Sequence, residues 1–191
     1  TELTNKTQIT KGKGSGHGNG AKVPFGCFQT LGDLRLDFGT DGPYEDYYRE
    51  LDLMKGIVYS TFVQNGVKFK REVFASHPDK AIIIRLTSSK AGSIHVLVNM
   101  DRPERFETNI TADNGLRMFG TLDDGRGGNG MRYEAQVTPV LEGGKIIRKM
   151  GKGIEIKGAN ALTLVVTAKT NYKQQYPDYT NANFQQEHRD I

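Results

Sequence analysis

The alternation of apolar and polar residues is clearest between Gly56 and Ala75, where two strand-like runs flank Asn65-Gly66. Asn-Gly predicts a two-residue type I′ turn, because both central residues of that turn need a positive φ. A two-residue turn sets the register, so we expect four facing pairs: Gln64 with Val67, Phe62 with Phe69, Ser60 with Arg71, and Val58 with Val73. The last three pairs share one mainly apolar face, with Arg71 as its exception. The pattern predicts an antiparallel hairpin with one face on a core and the other in solvent.

Short alternating segments recur along the rest of the chain. They cover residues 25–38, 81–87, 93–99, 116–122, 131–137, 154–156 and 162–166. Clusters of turn-forming residues separate them. The run 81–87 is apolar at consecutive positions, which predicts a strand buried on both faces. No segment shows a sustained apolar period of 3.6 residues, so the pattern predicts an all-β sandwich or open barrel with little helix.

The polar stretches divide the chain into three parts. Residues 1–24 include a Gly-rich, low-complexity run that predicts a flexible segment, and residues 173–191 are polar and unpatterned, like a linker. The strand-like segments lie within residues 25–172, and a chain of 191 residues is long enough for one substantial core. The N-terminus lacks the pattern of a signal peptide.

Composition and charge argue against some classes of binding partner for this chain. The net charge of +4 is spread along the chain without a basic run, which argues against nucleic acid. No apolar run reaches the roughly 18 residues that a membrane span needs. The single cysteine, Cys27, excludes an internal disulfide and is expected to be buried.

Arg71 is the clearest candidate for a structural charge. Because it points into the apolar face of the hairpin, we expect it to pair with a carboxylate rather than to bind substrate. The candidate partners are Glu50, Asp52 and Asp79.

Three tyrosines, Tyr44, Tyr47 and Tyr48, precede the hairpin. They are candidates for a sugar-stacking or interdomain contact, and half-burial at a sheet edge is the expected arrangement. Asp123 and Asp124 lie in a Gly-rich loop where nothing is expected to raise a carboxyl pKa, so we interpret them as solvated loop residues. His17 is likewise expected to be solvated.

Several of these segments together resemble a known family. They are 28–38, 48–53, Val67 to Asp79, 83–86, 130–135, 142–144 and 163–172, of which Arg71-Glu-Val-Phe-Ala-Ser-His-Pro-Asp79 is the most specific. In this order they resemble the N-terminal β-sandwich domain of glycoside hydrolase family 95, the α-L-fucosidases that act on terminal 1,2-linked fucose. Some members are similar to α-L-galactosidases.

The resemblance implies that the sandwich and the catalytic groups belong to different domains of one protein. The family's catalytic groups lie in a helical barrel that follows the sandwich, and none of them matches a position here, so the resemblance assigns no catalytic residue. The implied partners are that helical domain and, through it, fucosylated glycans. It implies no cofactor or metal, and it implies a periplasmic or secreted protein. The alternatives are a stand-alone carbohydrate-binding module and a structural interaction domain.

Overall fold

Two antiparallel β-sheets pack face to face, which confirms the predicted all-β sandwich. The computed structural model describes residues 30–39, 42–123, 129–176 and 178–189. The elements of these residues are β1 (Asp33–Asp37), β2 (Glu45–Asp52), β3 (Ile57–Gln64), β4 (Val67–Ser76), β5 (Ala81–Ser88), β6 (Ile94–Asp101), β7 (Glu107–Ile110), β8 (Leu116–Asp123), β9 (Asn129–Glu142), β10 (Lys145–Lys149), β11 (Gly153–Ala159), β12 (Ala161–Thr170) and α1 (Phe184–Arg189). Within this part of the chain no helix is long and apolar enough to cross a membrane.

The two sheets differ in width. The smaller has the strand order β1-β6-β11-β10, and the larger has the order β2-β3-β4-β5-β12-β9-β8-β7. Each strand pair is antiparallel, and neighbours in the larger sheet are consecutive in the chain except where β12 lies between β5 and β9.

The hairpin of β3 and β4 forms with the predicted turn and register. Asn65 and Gly66 both have positive φ, at 51° and 71°, as a type I′ turn requires. The four expected pairs, from Gln64 with Val67 to Val58 with Val73, all face each other.

The core lies between the sheets and is filled by alternate residues of the inner strands. Ile94, Val96 and Val98 of β6 are at most 2% exposed, as the alternation predicts. Among the described residues the fully buried apolar side chains come from β5, β6, β8, β9, β11, β12 and α1. The outer strands β2, β3 and β4 contribute none, so that end of the larger sheet is only partly covered.

Three local features differ from the sequence prediction or were missed by it. Ile82 in β5 is 47% exposed, so this strand is not buried on both faces along its length. The short strands β7 and β10 were not predicted. Residues 173–191 were expected to be a polar linker, and this segment contains α1, whose Phe184 and His188 are buried.

Candidate functional site

The outer face of the larger sheet carries a polar site between β8, β9, β12 and α1. Side chains alternate along a strand, so the odd-numbered residues from Tyr133 to Val137 of β9 enter the core and the even-numbered ones face outward. Glu134 therefore belongs to the outer face, beside Phe119 of β8 and Lys169 of β12. Helix α1 lies on this face and contacts β12.

Glu134 is the centre of the site and is completely buried. Arg117 forms an ion pair with Oε2 of its carboxylate, and Gln136 donates to Oε1 at 2.7 Å. From α1, Gln185 donates to Oε2 at 3.3 Å and His188 contacts Oε1 through Nδ1 at 3.2 Å. A buried carboxylate is stable only with such partners, and here two of them come from the helix.

The hydrogen bonds determine how His188 is protonated. An ionised Glu134 accepts, so Nδ1 of His188 carries the proton and Nε2 accepts from the Thr167 hydroxyl at 2.8 Å. Burial lowers the pKa of His188 below its ordinary value of 6.5, despite the opposing charge of Glu134. The ring is therefore neutral near pH 7 and serves as a bridge between the sheet and the helix.

Glu134 stays ionised for a different reason. Burial raises the pKa of its carboxyl group, but the hydrogen bonds from Arg117 and Gln136 and the charge of Arg117 lower the pKa by more. A carboxyl with a lowered pKa is a poor general acid. Because Glu134 and His188 are also sealed from solvent, the geometry fits a clamp that holds α1 and does not fit a reaction centre.

A cleft of about 420 Å³ opens beside this clamp. Its walls are formed by strands β7, β8 and β9, by the loop that precedes β7, and by the start of α1. The lining residues are Arg105, Phe106, Glu107, Phe119, Gly120, Thr121, Arg132, Tyr133, Phe184 and Gln185. The Arg132 guanidinium lies over the Phe184 ring at 5.1 Å, and that of Arg117 lies over Phe119 at 4.4 Å. The cleft thus combines aromatic surface with charged and hydrogen-bonding groups.

The loop that borders the cleft is held against the sheet by a close backbone approach. Tyr133 donates from its hydroxyl to the Arg105 carbonyl at 2.7 Å. A Cβ at Gly120 would lie 2.0 Å from the same carbonyl oxygen, so only glycine fits there. Within the described residues, no group of three or more His, Cys, Asp or Glu side chains is placed to hold a metal ion.

The structure does not bring Arg71 together with its predicted partners. Arg71 donates from Nε to Ser60 Oγ at 3.2 Å, and it forms no ion pair with Glu50, Asp52 or Asp79. The register supplies the reason, because Glu50 lies opposite Tyr59 and is therefore on the other face of the sheet from Arg71, as is Asp52.

The three carboxylates have local partners instead. Asp52 pairs with Lys55 at 3.0 Å, and Glu50 accepts from the Tyr48 hydroxyl at 3.0 Å. Asp79 accepts from Ser76 at the turn between β4 and β5. Arg71 is half-buried beside Phe62 and Phe69, where its stem was expected.

The predicted tyrosines lie on or beside β2, the edge strand of the larger sheet. Tyr44, Tyr47 and Tyr48 are 59%, 60% and 56% exposed, so each is more exposed than the half-burial that was expected. Tyr44 packs edge-on against Phe62 at 5.2 Å between ring centroids. Residues 1–29, with His17 and Cys27, lie outside the described residues, as do Asp124 and the side chain of Asp123.

Sequence reasoning missed the clamp and the cleft. Glu134 occupies a strand position that alternation assigns to solvent, and Phe184 and His188 stand in a segment without apolar periodicity. The one available signal was that Phe184 and His188 are four positions apart and directly follow Asn183, a residue type that often begins a helix. Residues four positions apart lie on one face of a helix.

Comparison with known proteins gives a consistent picture. The family model for the glycosyl hydrolase family 65 N-terminal domain matches residues 1–175. Alpha-L-fucosidase 2 of Arabidopsis thaliana is 29% identical over 171 residues, which cover 78% of this chain and 20% of that protein. A probable alpha-fucosidase A of Aspergillus niger is 26% identical over 153 residues, covering 78% of this chain and 19% of that protein.

These matches place the chain in a family and define its extent relative to longer proteins. The chain spans about a fifth of the length of the curated relatives it matches. The resemblance to the N-terminal domain of α-L-fucosidases is confirmed, although the matching model is described as family 65 and family 95 is not named. Since that model covers most of its residues, the chain belongs to the family of glycosyl hydrolase family 65 N-terminal domains.

Proposed function

We propose that this chain is the N-terminal β-sandwich domain of a family-95-like, inverting α-L-fucosidase, and that it packs against a helical-barrel catalytic domain of the same protein. The observation that carries the proposal is the extent of the matches, because similarity to alpha-fucosidases covers 78% of this chain but about a fifth of each relative. In this role the sandwich braces the catalytic domain, and fucosylated glycans are bound through that domain.

The uncovered end of the larger sheet supports a packing role. Around β2 and its turn to β3, Leu51, Leu53 and Met54 are 55%, 84% and 95% exposed. Tyr47 and Tyr48 lie on the same strand, and Tyr44 directly precedes it. Large exposed apolar groups that cluster in this way are typical of interfaces. The proposed interdomain surface therefore consists of Tyr44, Tyr47, Tyr48, Leu51, Leu53 and Met54.

The site chemistry supports a non-catalytic role for the sandwich. An inverting glycosidase uses two carboxyl groups about 6.5–9.5 Å apart, one of them a general acid with a raised pKa. Glu134, the one fully buried carboxylate of the outer-face site, has a lowered pKa and is 0% exposed, so its carboxylate is not accessible to a sugar.

The experiment compares two polypeptides on a 1,2-fucosylated trisaccharide. One is the 191-residue chain, and the other is the product of the uninterrupted reading frame that contains it. We expect fucose release by the longer product and none by the chain alone. Fucose release by the 191-residue chain, or a reading frame that encodes no helical domain, would contradict the proposal. An α-L-galactoside tested in parallel identifies the related galactosidase.

A further inference from the structure

The cleft beside α1 lies on the opposite edge of the larger sheet from the proposed interdomain surface. Its lining comes from β7, β8, β9 and α1, whereas that surface is built on β2. Its volume of about 420 Å³ falls within the range of small-molecule sites, roughly 300–1,000 Å³. Packing against a catalytic domain through β2 would leave the cleft unused, so it calls for a separate explanation.

The walls of the cleft are held in place before any ligand arrives. The Tyr133 hydroxyl binds the Arg105 carbonyl at 2.7 Å and fixes the loop on one side. On the other side, the clamp of Glu134 and His188 holds α1, so that Phe184 is 1% exposed at the base of the helix. A preformed site avoids much of the ordering cost of binding.

The charges on the walls select the class of ligand. Arg132 and Arg105 lie on the same cleft as Glu107. Arg132 stacks over Phe184 and forms no ion pair with any described residue. An anion would be repelled by Glu107 and a cation by the two arginines, whereas a hydroxyl group accepts from guanidinium and donates to carboxylate.

The apolar part of the lining completes the recognition. Phe106 is 36% exposed at the mouth of the cleft, and Phe119 is half-buried within it. Pyranose rings present an apolar C–H face and a rim of hydroxyl groups. A neutral ring with such a face and rim matches both kinds of surface that the cleft offers.

We propose that this cleft is a binding subsite for a neutral saccharide, contacted by Phe106, Glu107 and Arg132. The choice of a fucosylated glycan as its ligand rests on the proposed function. The subsite would hold a distal part of the glycan and would perform no chemistry.

The test is a titration of the 191-residue chain with a 1,2-fucosylated trisaccharide. Binding is measured by calorimetry, and the binding site is located from the changes in amide NMR chemical shifts. We expect binding in the millimolar range, with shifts at the residues that line the cleft. Phe106→Ala and Arg132→Gln should each weaken binding about tenfold, as for a contact worth more than about 1 kcal/mol. Tyr47→Ala is the control, since it removes an aromatic ring at the far edge that is 60% exposed, against 36% for Phe106, and it should leave the affinity unchanged.

Three outcomes would overturn the subsite: no binding at millimolar sugar, loss of binding in Tyr47→Ala with retention in Phe106→Ala, or binding of inorganic phosphate in place of the sugar. None of these outcomes bears on fucose release by the longer polypeptide. Failure of the subsite and failure of the proposed function are therefore distinguishable.

Discussion

Single residues decide whether the outer face of the sheet can hold a site at all. Glu134 occupies a position where strand alternation expects a solvated side chain, yet it is 0% exposed. An unpaired carboxylate buried to this extent would destabilise the fold by several kcal/mol. Arg117, Gln136, Gln185 and His188 remove that penalty together, so the helix and the buried charge depend on each other.

Gly120 tests how closely the cleft loop is packed on the sheet. In Gly120→Ala the new Cβ would meet the Arg105 carbonyl oxygen at 2.0 Å and the Tyr133 hydroxyl at 2.6 Å. Because backbone must move to relieve the first contact, we expect a loss of about 1–3 kcal/mol in the free energy of unfolding. Urea denaturation of the two proteins measures this difference.

Gly42→Ala serves as the control for that substitution. Its Cβ would have no neighbour closer than 3.7 Å, so its stability should stay within about 0.5 kcal/mol of the parent chain. Equal stability of the two alanine variants would show that the loop does not pack on Gly120 as described.

At the scale of secondary-structure elements, the strands could be predicted because each carries its own signal. The hairpin of β3 and β4 was predicted to the exact register, since Asn65-Gly66 specifies the turn and the turn specifies the pairs. Strands β7 and β10 have only four and five residues, too few for alternation to stand out. Helix α1 has six residues, fewer than two turns, and no apolar stripe longer than Phe184 with His188.

The clamp could not be predicted for a related reason. Arg117, Glu134 and His188 are brought together by strand pairing and helix docking across 17 and 54 positions of sequence. No local pattern reports such a contact. The Arg71 prediction failed on the same ground, since the alternation of β3 and β4 did not reveal which face of β2 carries Glu50 and Asp52.

Docking of α1 should depend on pH through His188. Its pKa is lowered in the folded chain, so between that value and 6.5 the unfolded chain binds more protons than the folded one. Stability is then fully present above pH 6.5 and falls as the pH is lowered through the folded pKa. The charged groups that face the ring are Glu134, Lys169 and Arg117. Because the pKa of Glu134 is also lowered, its protonation causes a further loss of stability, but only at pH values below its ordinary pKa of 4.5.

The measurement is hydrogen exchange of the α1 and β12 amides between pH 8 and pH 5, corrected for intrinsic rates. Protection in α1 should decrease toward pH 5, while β6 in the core stays protected. His188→Gln removes the titrating ring, so its α1 protection should be lower at pH 8 and nearly flat with pH. A decrease of the same size in that variant would assign the effect to another group.

At the scale of the whole molecule, the unequal widths of the sheets leave one end of the sandwich open. Contacts between the sheets run from β6 to β5 and β8, and from β11 to β7. No buried apolar side chain among the described residues comes from β2, β3 or β4. An eight-stranded sheet facing four strands therefore leaves its β2 edge uncovered, with Leu51 on the inner face and Tyr48, whose hydroxyl binds Glu50, on the outer face. The proposed interdomain surface spans both faces of this edge.

Leu53→Asp separates a surface that packs against a catalytic domain from one that faces solvent. Leu53 is 84% exposed, so in the 191-residue chain the free energy of unfolding should change by no more than about 0.5 kcal/mol. In the longer polypeptide the new carboxylate would be buried against the partner domain, and scanning calorimetry should show the sandwich melting separately and at a lower temperature.

Met150→Asp, at an 86% exposed position between β10 and β11, makes the same change far from β2 and should alter the stability of neither protein. If both variants leave the longer polypeptide unchanged, the interface lies elsewhere on the sandwich, because burying an unpaired charge in a packed interface always weakens it.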